Sequence, residues 1–170
     1  MKNRRSLPPI LPLALAWLGF AIYVWSTAEQ LPERVATHFA GRGEPNAWQP
    51  QADYVRFILI CGATVPAMVL ATSSLIQLGN GWGLNIPHKD YWLAAERRGQ
   101  TFAFVRRQCS ALALLLIAFL AGVHYLILVA NARSPVSLPS TLVLQICGAF
   151  LAATLVWSVI FLTHFFRKPA

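Results

Sequence analysis

Four long stretches of the chain carry no charged side chain, and this pattern constrains the fold more than any other feature. No Asp, Glu, Lys or Arg occurs in residues 6–28, 57–88, 108–132 or 134–166. An α-helix needs roughly 20 apolar residues to cross about 30 Å of hydrocarbon, because each residue adds about 1.5 Å. Every stretch meets this length. The sequence therefore predicts four transmembrane helices, near residues 9–28, 54–78, 109–130 and 140–165.

The composition agrees with a membrane protein and excludes an ordinary soluble domain. Charged residues make up 12% of the chain and hydrophobic residues 56%, whereas soluble domains carry about 25% charged residues. The spans are expected to be helices, because backbone facing lipid has to satisfy its hydrogen bonds internally. We predict an all-α fold in one membrane domain, residues 1–170. It is an integral membrane four-helix bundle with an ordered extracytoplasmic loop, residues 29–53, and a cytoplasmic loop, residues 79–108, that contains an interfacial helix.

The basic residues predict the orientation of these spans. With the N-terminus inside, ten basic residues fall on inner segments: Lys2, Arg4, Arg5, Lys89, Arg97, Arg98, Arg106, Arg107, Arg167 and Lys168. The four on outer segments are Arg34, Arg42, Arg56 and Arg133. Cytoplasmic segments carry an excess of Lys and Arg, so both termini are predicted to be cytoplasmic.

The net charge of +8 also bears on partners. The basic side chains lie beside apolar spans and not on one soluble face, so we predict membrane lipids with anionic headgroups as partners and no nucleic acid. The three cysteines, Cys61, Cys109 and Cys147, lack the spacing of a metal or disulfide site. We predict neither a metal site nor a cofactor.

The predicted outer loop is rich in Pro, Gly and aromatic residues, and we expect it to be ordered. Gly43 permits a positive φ, and Trp48 can dock on the bilayer interface or on the bundle. His38 with Glu33 and Glu44 could in principle bind a metal or act as acid and base. No HExxH pattern or second nearby histidine accompanies His38, so a structural hydrogen bond is the favoured role.

The predicted inner loop should contain a helix that begins near Asp90. Asp90 can cap this helix, and Tyr91, Ala95, Phe102 and Val105 would share one broad face. Arginines available for lipid headgroup phosphates are Arg97, Arg98, Arg106 and Arg107. The segment is predicted to rest on the inner leaflet, and a site for a cytoplasmic protein partner is the alternative.

His124 is the one ionisable side chain predicted near the middle of the membrane, where such groups are functional candidates. The predicted spans hold no carboxylate that could form a proton relay with it. We therefore predict that a group on a neighbouring helix satisfies a neutral imidazole. A functional role is the alternative.

The two loops carry a resemblance. Residues 31–39, LPERVATHF, followed by residues 43–48, GEPNAW, resemble the motif LPxxVPxHxxxxGxPDxW, with Ala36 in place of Pro and Asn46 in place of Asp. Residues 85–98, NIPHKDYWLAAERR, are similar to NIPNKDYWLAPERR, with His88 and Ala95 as departures. Both motifs belong to a bacterial membrane-protein family of unknown function that is related to the N-terminal part of SdpI-like toxin-immunity proteins.

The resemblance implies a place in the bacterial cytoplasmic membrane. It also implies immunity to a secreted peptide toxin, or sensing of that toxin by holding a repressor at the membrane. The candidate ligand or interaction residues are Glu33, His38, Gly43, Glu44, Asn46 and Trp48 outside, and Asn85, Pro87, Asp90, Tyr91, Trp92 and Arg97 inside.

Two classes of function remain open. The favoured class is a non-enzymatic binding, sensing or immunity protein whose outer loop meets a peptide or envelope ligand. The alternative is a membrane enzyme that acts on a lipid-linked or envelope substrate through His38. We assign no catalytic residue, because an enzyme needs convergent ionisable groups and the sequence offers only this loose set.

Overall fold

A computed structural model describes residues 10–167 of the chain, and four of its helices are long and apolar enough to span a membrane. They are α1 (Ile10–Thr27), α2 (Gln51–Leu78), α4 (Arg98–Asn131) and α5 (Ser140–Phe166), with the short helix α3 (Lys89–Trp92) before α4. The four predicted spans are confirmed as helices, and the chain is a multi-pass membrane protein. Pro9 of the first span, and Lys2, Arg4, Arg5 and Lys168 of the charge count, lie outside the described residues.

Three of the long helices form the main core. α1, α2 and α4 pack against one another, and their buried side chains include Phe20, Val24, Ile58 and Ile117. α1 and α2 approach closely at Gly62, where an added Cβ would overlap the Phe20 ring. α5 packs chiefly on α4 and lies at the side of this core. Within α5, all of which the structure describes, only Phe165 is buried.

The loop between α1 and α2 contains a β-hairpin, which departs from the predicted all-α fold. Strand β1 (Arg34–Phe39) pairs antiparallel with β2 (Pro45–Pro50). β1 carries Val35, Thr37 and Phe39 at alternate positions, and such β-branched and aromatic residues favour strands. Gly43 has a φ of +85° in the turn between the strands. α2 begins at the residue directly after β2.

The loop between α2 and α4 differs from the predicted single interfacial helix. α3 begins one residue before Asp90 but ends at Trp92, and residues 98–108 belong to the long helix α4. The break allows Trp92 to reach α5, where its indole Nε1 donates a 3.1 Å hydrogen bond to the carbonyl of Phe165. The Thr101 hydroxyl satisfies the Trp92 carbonyl at 2.8 Å. The predicted common face of one long helix therefore does not form.

Candidate functional site

The β-hairpin is fixed to the end of α4 by one side chain. Oδ1 of Asn131 accepts a 2.8 Å hydrogen bond from the backbone N–H of Ala36, and its Nδ2 donates to the Ala36 carbonyl at 3.0 Å. The same Nδ2 donates to the Ile127 carbonyl at 2.9 Å, which orients the amide. Ala36 is fully buried, so these bonds satisfy backbone groups that water does not reach.

Two further contacts hold the hairpin at its base and at its turn. Nε2 of Gln51 donates to the carbonyls of Ala28 and Leu31, at 2.7 and 2.9 Å, and ties the start of α2 to the chain that leaves α1. At the turn, the Gly43 carbonyl accepts a 2.8 Å hydrogen bond from the backbone N–H of Leu138. The hairpin is therefore attached to α2, to α4 and to the loop before α5.

His124 lies beneath the hairpin, seven residues before the end of α4. Its ring contacts Thr27, the last residue of α1, and Tyr54, in the first turn of α2. The imidazole is fully buried, and each ring nitrogen lies 2.8 Å from one of these two hydroxyl oxygens. The Tyr23 ring packs edge-on against it at 5.2 Å.

The hydrogen-bond network around His124 assigns its tautomer. The Thr27 hydroxyl has one proton and donates it to the Tyr23 carbonyl at 2.8 Å, so it accepts from Nε2–H of His124. Nδ1 then accepts the proton of the Tyr54 hydroxyl. A neutral imidazole in this arrangement has no free lone pair. Its role is to join α1, α2 and α4 beneath the hairpin.

The exposed side of the hairpin presents His38, Asn46 and Trp48. Oδ1 of Asn46 accepts a hydrogen bond from Nδ1–H of His38, which leaves Nε2 of the histidine open to a ligand. The Trp48 side chain is 40% exposed. Within residues 10–167, the carboxylates of Glu33 and Glu44 make no hydrogen bond or ion pair with His38.

Potential metal ligands do not cluster in the described part of the chain. No group of three or more His, Cys, Asp or Glu side chains within residues 10–167 is placed to hold a metal ion. His38, Asn46 and Trp48, which together we call the hairpin surface, therefore offer one imidazole, one amide and one indole. These are groups suited to recognition.

The inner-loop candidates lie at the opposite end of the helices from the hairpin. α2 separates the two groups of candidate residues, and its 28 residues correspond to about 42 Å of helix. Asn85 and Asp90 are exposed, whereas Pro87, Tyr91 and Trp92 are half-buried. The two sets of candidate residues thus belong to two separate sites.

The four arginines predicted to meet lipid headgroups are not equivalent. The Arg97 guanidinium is half-buried and lies 4.0 Å from the centroid of the Tyr91 ring. Arg98, Arg106 and Arg107 are exposed, and Arg98 donates to Oδ1 of Asn80 at 3.4 Å. The Arg107 guanidinium lies 5.4 Å from the centroid of the Phe104 ring, so Arg97 is the half-buried member of this set and the one with the shorter distance to an aromatic ring.

Sequence reasoning missed three residues that build these sites. Asn131 and Gln51 fix the hairpin, and His164 stacks on Phe104 with ring centroids 3.7 Å apart. One indication of Asn131 and Gln51 was present in the sequence, because each is a polar residue at the end of an apolar helix. No pattern in the sequence indicates the backbone groups that they bind.

Comparisons of this chain with models of protein families, with curated proteins and with solved structures find no match. The resemblance to the family related to SdpI-like immunity proteins stays a prediction.

Proposed function

We propose that this chain is a non-enzymatic binding protein of the bacterial cytoplasmic membrane, with both termini in the cytoplasm and the hairpin outside. The hairpin surface recognises a peptide or another envelope ligand, and the protein acts in immunity or sensing. One observation carries the proposal. The hairpin is held to α4 through Ala36, to the loop before α5 through Gly43, and at its base by Gln51 of α2, while it presents the hairpin surface to the surroundings.

A hairpin held in this way is suited to binding. Fixing a binding surface in advance removes part of the entropy cost of association. Tryptophan is enriched among the residues that contribute most to interface affinity, because its large ring buries much apolar area. Trp48 is such an anchor, and the His38–Asn46 pair beside it adds hydrogen-bonding groups for a peptide backbone or a polar envelope component.

The partner of His38 supports binding over acid–base catalysis. A catalytic histidine is commonly oriented by a carboxylate that also stabilises the imidazolium. Here the partner is the neutral amide of Asn46, at the position where the resembling motif has Asp. Glu33 and Glu44 make no bond to the imidazole in the described residues. This arrangement favours recognition by the hairpin surface.

The test is protection of a deletion strain against secreted antimicrobial peptides. The strain is complemented with the wild-type chain or with Trp48→Ala, His38→Gln or Trp25→Ala. Trp25 is the matched control, because it is 73% exposed near the hairpin end of α1 but lies outside the hairpin. We expect Trp48→Ala to lose protection, His38→Gln to retain most of it through its amide, and Trp25→Ala to behave as wild type.

Two outcomes would contradict the proposal. Loss of protection in His38→Gln, at a normal amount of protein in the membrane, would indicate acid–base or metal chemistry. Equal loss in Trp48→Ala and Trp25→Ala would show that the hairpin surface is not the binding site.

A further inference from the structure

A second site lies at the end of the helices opposite the hairpin. A cavity of about 200 Å³ is lined by Tyr91, Trp92, Arg97, Gln100, Thr101 and His164. An adjoining hollow of about 350 Å³ shares Trp92 and His164 with this cavity and adds Phe104, Ile160, Thr163 and Arg167. We call the two together the inner cavity.

The walls of the inner cavity are held by specific contacts. Trp92 donates to the Phe165 carbonyl at 3.1 Å and accepts from the Thr101 hydroxyl at 2.8 Å through its own carbonyl. His164 lies nearly parallel to Phe104, with an interplanar angle of 13° and centroids 3.7 Å apart. These contacts join α3, α4 and α5, so the cavity is part of the packed structure.

The lining of the inner cavity suits an anion. It includes the guanidinium groups of Arg97 and Arg167 and contains no carboxylate among its ten residues. The Arg97 guanidinium is positioned over the Tyr91 ring, which keeps its planar donor groups oriented. Gln100 and His164 add further N–H donors. Oriented arginine donors favour phosphate oxygens, which accept two parallel hydrogen bonds.

The surroundings of the inner cavity indicate which kind of molecule carries this phosphate. Ile160, in the wall of the cavity, is 50% exposed. Its neighbours on the outward surface of α5 include Val156 and Val159, which are 58% and 51% exposed. In a membrane-spanning helix such a surface faces acyl chains. A ligand with its phosphate in the cavity can therefore lay its apolar tail along α5, as a phospholipid does and a soluble phosphate does not.

We propose that the inner cavity binds the phosphate headgroup of one anionic phospholipid molecule, with Arg97 as the main contact. This site is distinct from a general attraction between basic residues and a charged leaflet, and it does not depend on the function proposed for the hairpin surface. Arg167 and His164 line the other side of the bound phosphate.

The experiment measures binding of phosphatidylglycerol to the purified full chain in detergent by native mass spectrometry, with phosphatidylcholine as the comparison lipid. The variants are Arg97→Gln, Arg97→Lys and Lys89→Gln. Lys89 is the matched control, because it is an exposed cation at the same end of the helices and lines neither part of the cavity. Circular dichroism and gel filtration are used to check that each variant is folded.

We expect one saturable phosphatidylglycerol per wild-type chain and at least tenfold weaker binding by Arg97→Gln. Arg97→Lys keeps the charge but loses the planar donors, so it should also bind more weakly, whereas Lys89→Gln should stay within about twofold of wild type. Equal weakening by Arg97→Gln and Lys89→Gln, or full retention in Arg97→Lys, would indicate delocalised attraction and overturn the site. Displacement of the lipid by an equal concentration of glycerol 3-phosphate would assign the cavity to a soluble phosphate compound and overturn the lipid assignment.

Discussion

Replacing Asn131 by Ala should release the β-hairpin from the helices. The substitution removes both hydrogen bonds to Ala36, at 2.8 and 3.0 Å, and leaves a buried N–H and a buried carbonyl without partners. A buried polar group left unpaired costs about 1–3 kcal/mol. When the hairpin detaches, both groups form hydrogen bonds with water. The cost of the substitution therefore lowers the free energy of local opening. We expect the free energy of hairpin opening to fall by about 2–3 kcal/mol.

Amide hydrogen exchange measures this opening directly. A decrease of about 2–3 kcal/mol corresponds to exchange that is about 30- to 150-fold faster in peptides covering β1, because each 1.4 kcal/mol is a factor of ten. Exchange in the middle of α2 should stay unchanged. Asn46→Ala is the control, since it removes an exposed amide from the same hairpin, and it should alter exchange of β1 by less than about twofold. Unchanged exchange of β1 in Asn131→Ala would refute the proposed anchor.

Three further predictions test the orientation and the packing around the hairpin. A single Cys at Asn46 in a Cys-free background should react with an impermeant maleimide in intact cells, and one at Gln100 should not. The opposite pattern would contradict the predicted orientation. Gly43→Ala should lower the free energy of unfolding by at least about 1 kcal/mol, because Gly43 has positive φ and an added Cβ would lie 2.6 Å from a backbone oxygen. Gly41→Ala, with open space around it, should be neutral in the same denaturant titration, and equal effects would contradict the turn geometry. His124→Leu should lower the free energy of unfolding by about 1–3 kcal/mol, because the buried Tyr54 hydroxyl loses its acceptor and the Thr27 hydroxyl keeps only its bond to the Tyr23 carbonyl. His124→Gln should cost less, and an unchanged stability in His124→Leu would show that the network does not stabilise the fold.

The number and approximate position of the long helices could be predicted from the sequence. The observed bounds of α1 and α5 lie within about two residues of the predicted spans. α4 begins at Arg98, well before the predicted start at residue 109. The charged residues mark where the chain leaves the hydrocarbon, but the helix itself continues beyond that point. The alternation of β-branched and aromatic residues in β1 is typical of a strand, but the prediction of an all-α fold did not take this pattern into account.

The sequence by itself determined that this chain crosses a membrane, because transfer into hydrocarbon depends on the summed hydropathy of a local segment. The tertiary structure alone decided which side chains meet. Asn131 and Ala36 are 95 residues apart, and Trp92 and His164 are 72 residues apart. Both contacts follow from the rotation and register of whole helices. In a water-soluble bundle an apolar stripe on each helix would reveal that rotation. Helices in lipid are apolar on every side, so their sequence leaves the inward face unmarked until packing and hydrogen bonds select it.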